Sequence, residues 1–271
     1  MKKVYTVKEE ATLSEFLSNV TVGLSKNKIL SQIKRGEARV NGKKVLTDLG
    51  LNVGDEVSFF LPEYLQVSVP IIFSDQNVAI VDKPIHTEVE TALTCYMQEK
   101  FPFAKPLHRL DANTSGLVAF ALNQKAYDEL LTAFKERKVR KTYLAETVGS
   151  VKDGIYEAYL LKDSKNSKVR ICDTQKPDSK WIKTGIEFVE KGEINLAKIT
   201  LFTGRTHQIR AHLAYLGCPI VGDDKYGDKT ANKKYGAVYQ KLKAVSLVFD
   251  KLNSPFDYLN GKVFSTVENL N

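Results

Sequence analysis

Residues 108–117, with the sequence HRLDANTSGL, place one carboxylate between a basic pair and a group of turn-forming residues. The apolar residues 117–122 that follow are typical of a buried strand. Asp111 would therefore stand at the end of a rigid element, which is where a reactive side chain is best held. The structural alternative is that Asp111 only caps a turn over residues 113–116, as aspartate often does. The local sequence leaves both interpretations open.

A second polar segment, residues 201–217 with the sequence LFTGRTHQIRAHLAYLG, carries an arginine inside a predicted helix. The helix is predicted over residues 205–216, and its apolar face consists of Ile209, Leu213 and Leu216. Arg210 lies at the edge of that face. A guanidinium drawn toward a core needs a carboxylate partner, because an unpaired buried charge is very costly, and Asp111 is a candidate. An arginine that extends along the surface to solvent is the alternative.

The sequence lacks the motifs of several common kinds of catalytic site. There is no GxGxxG after a predicted strand, no GxxxxGK[ST] and no GxSxG, so no dinucleotide site, triphosphate site or serine nucleophile elbow is predicted. His207 and His212 are five residues apart, about 140° around a helix, which argues against joint metal binding. We therefore expect neither a metal nor an organic cofactor.

The composition favours a nucleic-acid partner over a membrane. The 271 residues contain 40 Lys and Arg against 32 Asp and Glu, and the formal charge of +8 favours a polyanion. No apolar run approaches the roughly 18 residues of a membrane helix, and the N-terminus lacks the apolar core of a signal peptide. The three cysteines have no CxxC spacing, as expected of free thiols in a reducing compartment. These features predict a cytoplasmic protein, and nothing in them requires more than a monomer.

The first sixty residues predict two short helices and a hairpin. Thr12 and Glu15 fit a capping box for the first helix, and Ser25 can cap the second. Asn41 and Gly42 predict a tight hairpin turn, because both residues accept positive φ.

Residues 26–44 carry seven basic side chains and one acidic side chain, a charge of +6 in nineteen residues. Such charges usually form a solvated helix face, but around a helix end and a hairpin they could converge on a phosphate backbone. The segments IKRGEARVNGKKV and VGDEV resemble the small RNA-binding module named after ribosomal small-subunit protein four, over about residues 10–62. The resemblance implies a small α/β RNA-binding module over residues 1–62, with RNA contacts from Lys34, Arg35, Arg39 and Lys43.

The remaining residues, 63–271, predict a larger β-rich domain. Strands are predicted at residues 71–73, 78–81, 117–122, 139–148, 155–161, 168–172, 181–189, 197–202, 242–249 and 263–265. One helix is predicted at residues 125–135, and the polar, lysine-rich residues 222–236 predict an exposed loop. The fold class is therefore α+β rather than a series of βαβ units.

Three segments of this domain resemble the sequence motifs of the RluA-type pseudouridine synthases: HRLDANTSGL, RKTYLAETVG and LFTGRTHQIRAHLAYLGCPIVGDDKYG. The resemblance implies the catalytic fold of that family, a mixed and mainly antiparallel sheet with flanking helices and loops. It implies an enzyme that converts uridines of structured ribosomal or transfer RNA to pseudouridine. Asp111 would be the nucleophile, Tyr143 would lie against the uracil, and Arg210 would pair with the aspartate. Further RNA or substrate contacts are expected from His108, Arg109, Thr114, Arg205, His207 and Leu213.

One segment departs from the family's pattern. The family usually carries Lys-Pro-x-Gly followed by a valine-histidine pair, whereas residues 83–90 read KPIHTEVE. His86 replaces the glycine and Glu90 replaces the histidine, so we expect this loop and its RNA contacts to differ.

Two other functions compete with the synthase. A non-catalytic RNA-binding or ribosome-assembly protein could keep the same fold, but it would not need a carboxylate facing a polyanion. A nucleosidase would usually need a second carboxyl group to handle water, whereas the matched motifs centre on one acid.

Overall fold

The computed structural model describes residues 2–61, 68–163, 168–268 and 270. The predicted domain boundary between residues 62 and 63 therefore lies outside the described residues, as does most of the predicted linker at residues 63–70. None of the described helices is long and apolar enough to span a membrane.

The N-terminal unit packs two helices on a small sheet. Its elements are β1 Lys2–Thr6, β2 Ala11–Thr12, α1 Leu13–Val20, α2 Lys26–Lys34, β3 Ala38–Val40, β4 Lys43–Val45, β5 Gly50–Leu51 and β6 Glu56–Phe60. In the described part of this unit, an antiparallel sheet has the order β1-β6-β3-β4, and β2 pairs with β5. Its core contains Leu17 of α1, Ile29 of α2 and Phe59 of β6.

The predicted local signals of this unit are confirmed. The Thr12 hydroxyl accepts a hydrogen bond from the Glu15 backbone N–H, and the Glu15 carboxylate accepts one from the Thr12 N–H. Ser25 caps α2. Asn41 and Gly42 have φ angles of 49° and 77°, so the β3–β4 turn uses the two left-handed residues that its sequence predicts.

The remainder of the chain forms a second, larger sheet with accompanying helices. Its strands are β7 Ile71–Ser74, β8 Val78–Lys83, β9 Lys105–Pro106, β10 Ser115–Ala121, β11 Val139–Thr147, β12 Gly154–Asp163, β13 Lys168–Cys172, β14 Lys180–Glu190, β15 Asn195–Leu201, β16 Leu242–Phe249 and β17 Val263–Ser265. Among the described residues the strand order is β13-β12-β14-β15-β11-β16-β10-β8-β7, with β17 beside β16 and β9 beside β10. The helices that accompany it are α3 Thr94–Gln98, α4 Gln124–Lys135, α5 Gln208–Tyr215 and α6 Lys229–Lys234. The predicted strands and the helix at residues 125–135 are confirmed.

Strand β10 is an interior strand of this sheet and is buried on both faces. Val118 and Phe120 belong to the core on one face, and Leu117 and Ala119 belong to the core under α4 on the other. β10 pairs antiparallel with β8 and parallel with β16, and the close parallel contact is made by Gly116. With φ at +112°, a Cβ at this position would lie 2.2 Å from the backbone oxygen of Ala244, so only glycine fits.

The two units are in contact. On the larger unit, polar contacts are made by residues 87 and 99, which precede the Asp111 loop in the chain. The Gly23 backbone N–H donates to the Thr87 hydroxyl at 2.8 Å. The Lys3 ammonium lies 2.8 Å from the Glu99 carboxylate, on the chain just after α3. Of these two contacts, the one at Thr87 bears on the Asp111 loop, because the Thr87 backbone N–H donates to the Ala112 carbonyl at 3.2 Å.

The structure corrects two predictions of secondary structure and adds one element. Helix α5 begins at Gln208 rather than at residue 205, because His207 adopts the left-handed conformation with φ of 52°. Residues 222–236 are not an exposed loop throughout, since they include α6 and the buried side chain of Asp223. A π-helical turn, Val89–Leu93, runs into α3 and was not predicted; its apolar residues stand at helical spacing, but Glu88 before it makes no capping hydrogen bond.

Candidate active site

The three motif segments converge on one cavity of about 800 Å³. The cavity is lined by Asp111 from the loop before β10, by Tyr143 from β11 and by Arg210 from α5. Among the described residues that line it, Asp111 is the one acid, whereas eight carry Lys or Arg side chains: Arg109, Lys135, Arg137, Arg140, Lys141, Lys183, Arg205 and Arg210. The predicted partners of Asp111 are thus brought to the same place.

The backbone and the side chain of Asp111 make hydrogen bonds to different partners. Its backbone carbonyl accepts a hydrogen bond from the Thr114 N–H at 2.9 Å, so the turn closes over residues 111–114 rather than 113–116. Its carboxylate Oδ2 instead accepts from Nη1 of Arg210 at 3.0 Å. The Asp111 side chain is 25% exposed, so the carboxylate is accessible from the cavity. The side chain is therefore held toward the cavity, and the capping interpretation is wrong.

Arg210 is anchored by a residue that the sequence did not reveal. Its Nε and Nη2 atoms donate to the two oxygens of Asp223 at 2.7 and 2.8 Å, and Nη2 also donates to Asp224 at 3.1 Å. The Arg210 side chain is 6% exposed and the Asp223 side chain is fully buried. Burial alone would raise the pKa of the Asp223 carboxyl, but the hydrogen bonds from Arg210 reverse this and the net shift is downward. Asp223 is thus ionised and fixes the guanidinium that orients Asp111.

His207 lies near the same carboxylate oxygen of Asp111 that Arg210 contacts. Its Nε2 atom is 3.7 Å from Asp111 Oδ2, and its Nδ1 atom is 3.0 Å from the Tyr226 hydroxyl. The Tyr226 oxygen accepts from the Val169 N–H at 2.8 Å, so its own hydrogen is available to His207 Nδ1. Burial lowers the pKa of His207, although Asp111 opposes that shift. The lowered pKa favours the neutral imidazole beside the Asp111 carboxylate.

Tyr143 is buried in the wall of the cavity at an irregularity of the sheet. The pairing of β11 with β16 shifts register between Thr142 and Tyr143, and such bulges often re-aim a side chain beside an active site. Burial, and then the charge of Asp111, raise the pKa of the Tyr143 phenol well above its usual value. The phenol therefore stays protonated and acts as a hydrogen-bond donor at neutral pH.

The other predicted substrate residues divide into cavity-lining and structural groups. Arg109, Arg205 and His207 line the cavity, and so does Thr114, whose buried hydroxyl accepts from the Gln240 amide at 2.6 Å. Leu213 is fully buried in the hydrophobic core under α5 and does not reach the cavity surface, so its predicted contact with substrate is wrong.

His108 has a structural position although it borders the cavity. Its Nε2 atom accepts from the Ala119 N–H of β10 at 3.2 Å, and its ring stacks on Phe134 with centroids 4.7 Å apart. Burial, and then the nearby charge of Lys141, lower the pKa of His108 to about 3. The imidazole is therefore neutral and supports β10.

The segment at residues 83–90 contacts the Asp111 loop. The ammonium of Lys83 is fully buried and donates to the carbonyls of Pro84, Thr87 and Ala112 at 3.0, 2.9 and 3.0 Å. Burial lowers the pKa of Lys83 to about 7, but three carbonyl acceptors match the three hydrogens of the charged form. This lysine fixes the residue that directly follows Asp111.

The two replacements in this segment have identifiable partners. His86 adopts a φ of 57°, a conformation for which glycine is favoured, and its Nδ1 atom lies 3.0 Å from the Asn113 side-chain oxygen. Glu90 accepts from Arg109 at 3.0 Å in an exposed ion pair. Both replacements therefore contact residues of the HRLDAN loop.

The four basic residues predicted for the N-terminal unit do not line this cavity. Lys34, Arg35, Arg39 and Lys43 are all exposed around the end of α2 and the β3–β4 hairpin. The Arg39 guanidinium lies 5.4 Å from the centre of the Phe60 ring. These charges form a separate basic surface on the first unit.

Comparisons with known proteins identify the family of this chain. Residues 77–215, just over half of the chain, match the sequence profile of the family described as RNA pseudouridylate synthase. The chain is 32% identical to ribosomal large subunit pseudouridine synthase C of Vibrio parahaemolyticus, over 80% of this chain and 76% of that protein. It is 31% identical to an uncharacterized RNA pseudouridine synthase of Aquifex aeolicus, over 83% of this chain and 79% of that protein. The structure of human RNA pseudouridylate synthase domain containing 1 matches with a TM-score of 0.59 at 25% identity, over 75% of this chain and 91% of that chain.

This chain belongs to the RNA pseudouridylate synthase family and is an enzyme that isomerises uridine to pseudouridine in RNA. The predicted catalytic fold, a mixed and mainly antiparallel sheet with few helices, is confirmed.

Proposed function

We propose that Asp111 is the nucleophile of the isomerisation and that it acts on a uridine extruded from folded RNA into the cavity. The observation that carries this proposal is the Asp111 carboxylate, held by Arg210 at 3.0 Å in a cavity whose other charged lining residues are basic. A uracil inside folded RNA must leave its stack before chemistry can reach it, and cationic walls stabilise the backbone during that step.

In the proposed reaction an Asp111 oxygen attacks the ribose carbon C1′, and the C1′–N1 bond breaks with its electron pair passing to the uracil. The uracil turns so that its C5 atom faces the sugar. C5 then bonds to C1′, and the carboxylate leaves with the electron pair of the ester bond. The proton on C5 is lost and N1 takes up one proton, so no atom is gained or lost overall.

Two neighbours of Asp111 suit this sequence of steps. Arg210 holds the carboxylate in one orientation, and its own position is set by the buried Asp223. The raised pKa of Tyr143 keeps the phenol protonated, which favours donation of a hydrogen bond or proton to the uracil over removal of a proton from it.

We further propose that the substrate is ribosomal RNA of the large subunit and that the N-terminal unit is an RNA-binding module. The name of the Vibrio relative supports the first proposal. The exposed basic surface of Lys34, Arg35, Arg39 and Lys43 and the resemblance to the ribosomal-protein module support the second. Contact of that unit with Thr87, beside the Asp111 loop, would bring RNA held on the module close to the cavity.

The test compares Asp111→Asn with Asp250→Asn, the same exchange at an exposed aspartate outside the cavity. RNA from cells that lack the protein is mapped for pseudouridine after each variant is returned. We expect Asp250→Asn to restore the missing sites in large-subunit ribosomal RNA and Asp111→Asn to restore none. Restoration by Asp111→Asn would exclude it as the nucleophile. Loss of sites only in transfer RNA would overturn the substrate assignment, and release of free uracil would indicate a nucleosidase.

A further inference from the structure

One wall of the cavity presents large apolar side chains to solvent. Ile155, Trp181 and Phe202 are 58%, 36% and 39% exposed, and all three line the cavity that contains Asp111. They lie on one face of the sheet, because Ile155 pairs with Gly185 across β12 and β14, and Trp181 stands four residues before Gly185. The alternate residues of β14 are buried on the opposite face. Exposed apolar groups collected in a cavity mark a binding surface.

The Trp181 ring is held in place on the sheet. Its indole N–H donates to the Glu157 carboxylate at 3.2 Å, and the Lys183 ammonium lies 3.0 Å from the other oxygen of Glu157. The Arg137 guanidinium lies 5.6 Å from the centre of the indole. The Arg137 guanidinium, a planar cation, therefore makes a cation–π contact with this ring.

Phe202 lies close to the sheet at a glycine of the same strand, Gly185 of β14. A Cβ at Gly185 would lie 3.3 Å from Cε2 of Phe202, so the missing side chain lets the phenyl ring lie close to the sheet. The Lys183 ammonium lies 5.5 Å from the centre of the Phe202 ring. Trp181 and Phe202 thus flank one lysine, which gives two rings and one cation on the same face.

Aromatic rings interleaved with cations are the arrangement by which proteins hold unpaired bases, since the rings stack on the bases and the cations neutralise the phosphates. We propose that Trp181 and Phe202 form a stacking platform for an unpaired base adjacent to the target uridine. The proposal rests on entry of RNA into the Asp111 cavity. The occupant is RNA rather than an apolar peptide because the charged lining of the cavity is basic apart from Asp111, and Arg137 and Lys183 lie beside the two rings.

The first experiment uses the fact that Trp181 is the single tryptophan of the chain. Its fluorescence is followed during titration with decaadenylate, which contains no uridine and cannot react, and with polyphosphate of similar charge. We expect decaadenylate to quench the emission and polyphosphate to leave it unchanged. Equal quenching by both, or by neither, would overturn the platform, because the signal would then not depend on bases.

The second experiment measures affinity for decaadenylate with a labelled oligonucleotide. We expect Trp181→Ala and Phe202→Ala each to weaken binding roughly tenfold, the order expected for loss of one stacked base, and Trp181→Phe to retain most of the affinity. The control is Tyr258→Ala, which removes a ring of similar exposure, 37%, outside the cavity. Unchanged affinity in Trp181→Ala, with a melting temperature equal to that of the control, would overturn the proposal.

The nucleophile and the platform are separable. Asp111→Asn keeps both rings, so it should retain quenching by decaadenylate. An Asp111→Asn enzyme that still forms pseudouridine would overturn the proposed nucleophile and leave the platform standing. Base-independent quenching in an enzyme that Asp111→Asn inactivates would overturn the platform alone.

Discussion

The Nη1 atom of Arg210 lies 3.0 Å from the Oδ2 atom of Asp111, while the Nε and Nη2 atoms of the same guanidinium donate to a second carboxylate, that of Asp223. The Asp223 side chain has no exposed surface, whereas the Asp111 side chain is partly exposed. Arg210 is therefore anchored from the buried side and presents Asp111 on the open side. Because a planar guanidinium has a rigid donor pattern, the orientation of Asp111 depends on Asp223.

Asp223→Asn should lower both stability and activity. The amide keeps one acceptor but leaves the buried guanidinium with less neutralising charge, and breaking a buried pair in this way costs about 3–5 kcal/mol. Urea denaturation measures the free energy of unfolding. The control is Asp224→Asn, an exposed partner of Arg210, which should cost less than about 1 kcal/mol. Equal stability of the two variants would contradict the anchoring role of Asp223.

Gly116→Ala should destabilise the fold and distort the Asp111 loop. The added Cβ would meet the Ala244 backbone at 2.2 Å in a left-handed conformation, so β10 and β16 would have to separate. We expect a loss of roughly 3 kcal/mol or more, measured by thermal or urea unfolding. Gly154→Ala is the matched control, since the nearest atom to its added Cβ is 4.0 Å away. A Gly116→Ala protein as stable as that control would contradict the close approach.

The stability of the protein should fall on acidification through His108. The folded protein lowers the pKa of His108 from 6.5 to about 3, so between these values the unfolded chain binds a proton that the folded protein does not. The contribution is complete above pH 6.5 and declines below it, by about 2 kcal/mol at pH 5. His108→Gln should therefore lose less stability than the wild type between pH 7 and pH 5. Parallel stability curves for the two proteins would contradict this assignment.

The basic surface of the N-terminal unit should determine part of the salt dependence of RNA binding. Changing Lys34, Arg39 and Lys43 to Gln should reduce the magnitude of the slope of log K against log salt by roughly two to three. Each basic side chain that no longer contacts a phosphate removes the release of about one counterion on binding. A matched triple variant changes Lys125, Lys251 and Lys262, which are exposed lysines outside the cavity and the module. Identical slopes for the two triple variants would show that the module does not contact phosphates.

Elements with strong local signals could be predicted from the sequence. The capping residues of α1 and α2, the Asn41-Gly42 turn and the apolar run of β10 depend on neighbours only a few positions away. The pairing of Arg210 with Asp111 was also predicted, because a partly buried arginine requires a carboxylate and the motifs offered one candidate.

Asp223 was missed because its neighbours are polar and its burial depends on distant strands. It stands at the start of a lysine-rich stretch, where neither helical nor strand periodicity indicates a core position. The same limitation applies to His86, whose left-handed conformation faces Asn113, 27 residues further along the chain. The demand of a buried guanidinium for two acceptors was the one signal that could have pointed to a second aspartate.

The parallel contact between β10 and β16 has a consequence for how the enzyme is made. Gly116 pairs with Ala244, so a newly synthesised chain carries β10 for well over a hundred residues before its second neighbour exists. During that interval the apolar strand is an unprotected edge, the kind of surface that recruits other chains and that chaperones cover. The loop that presents Asp111 gains its last support only when β16 leaves the ribosome.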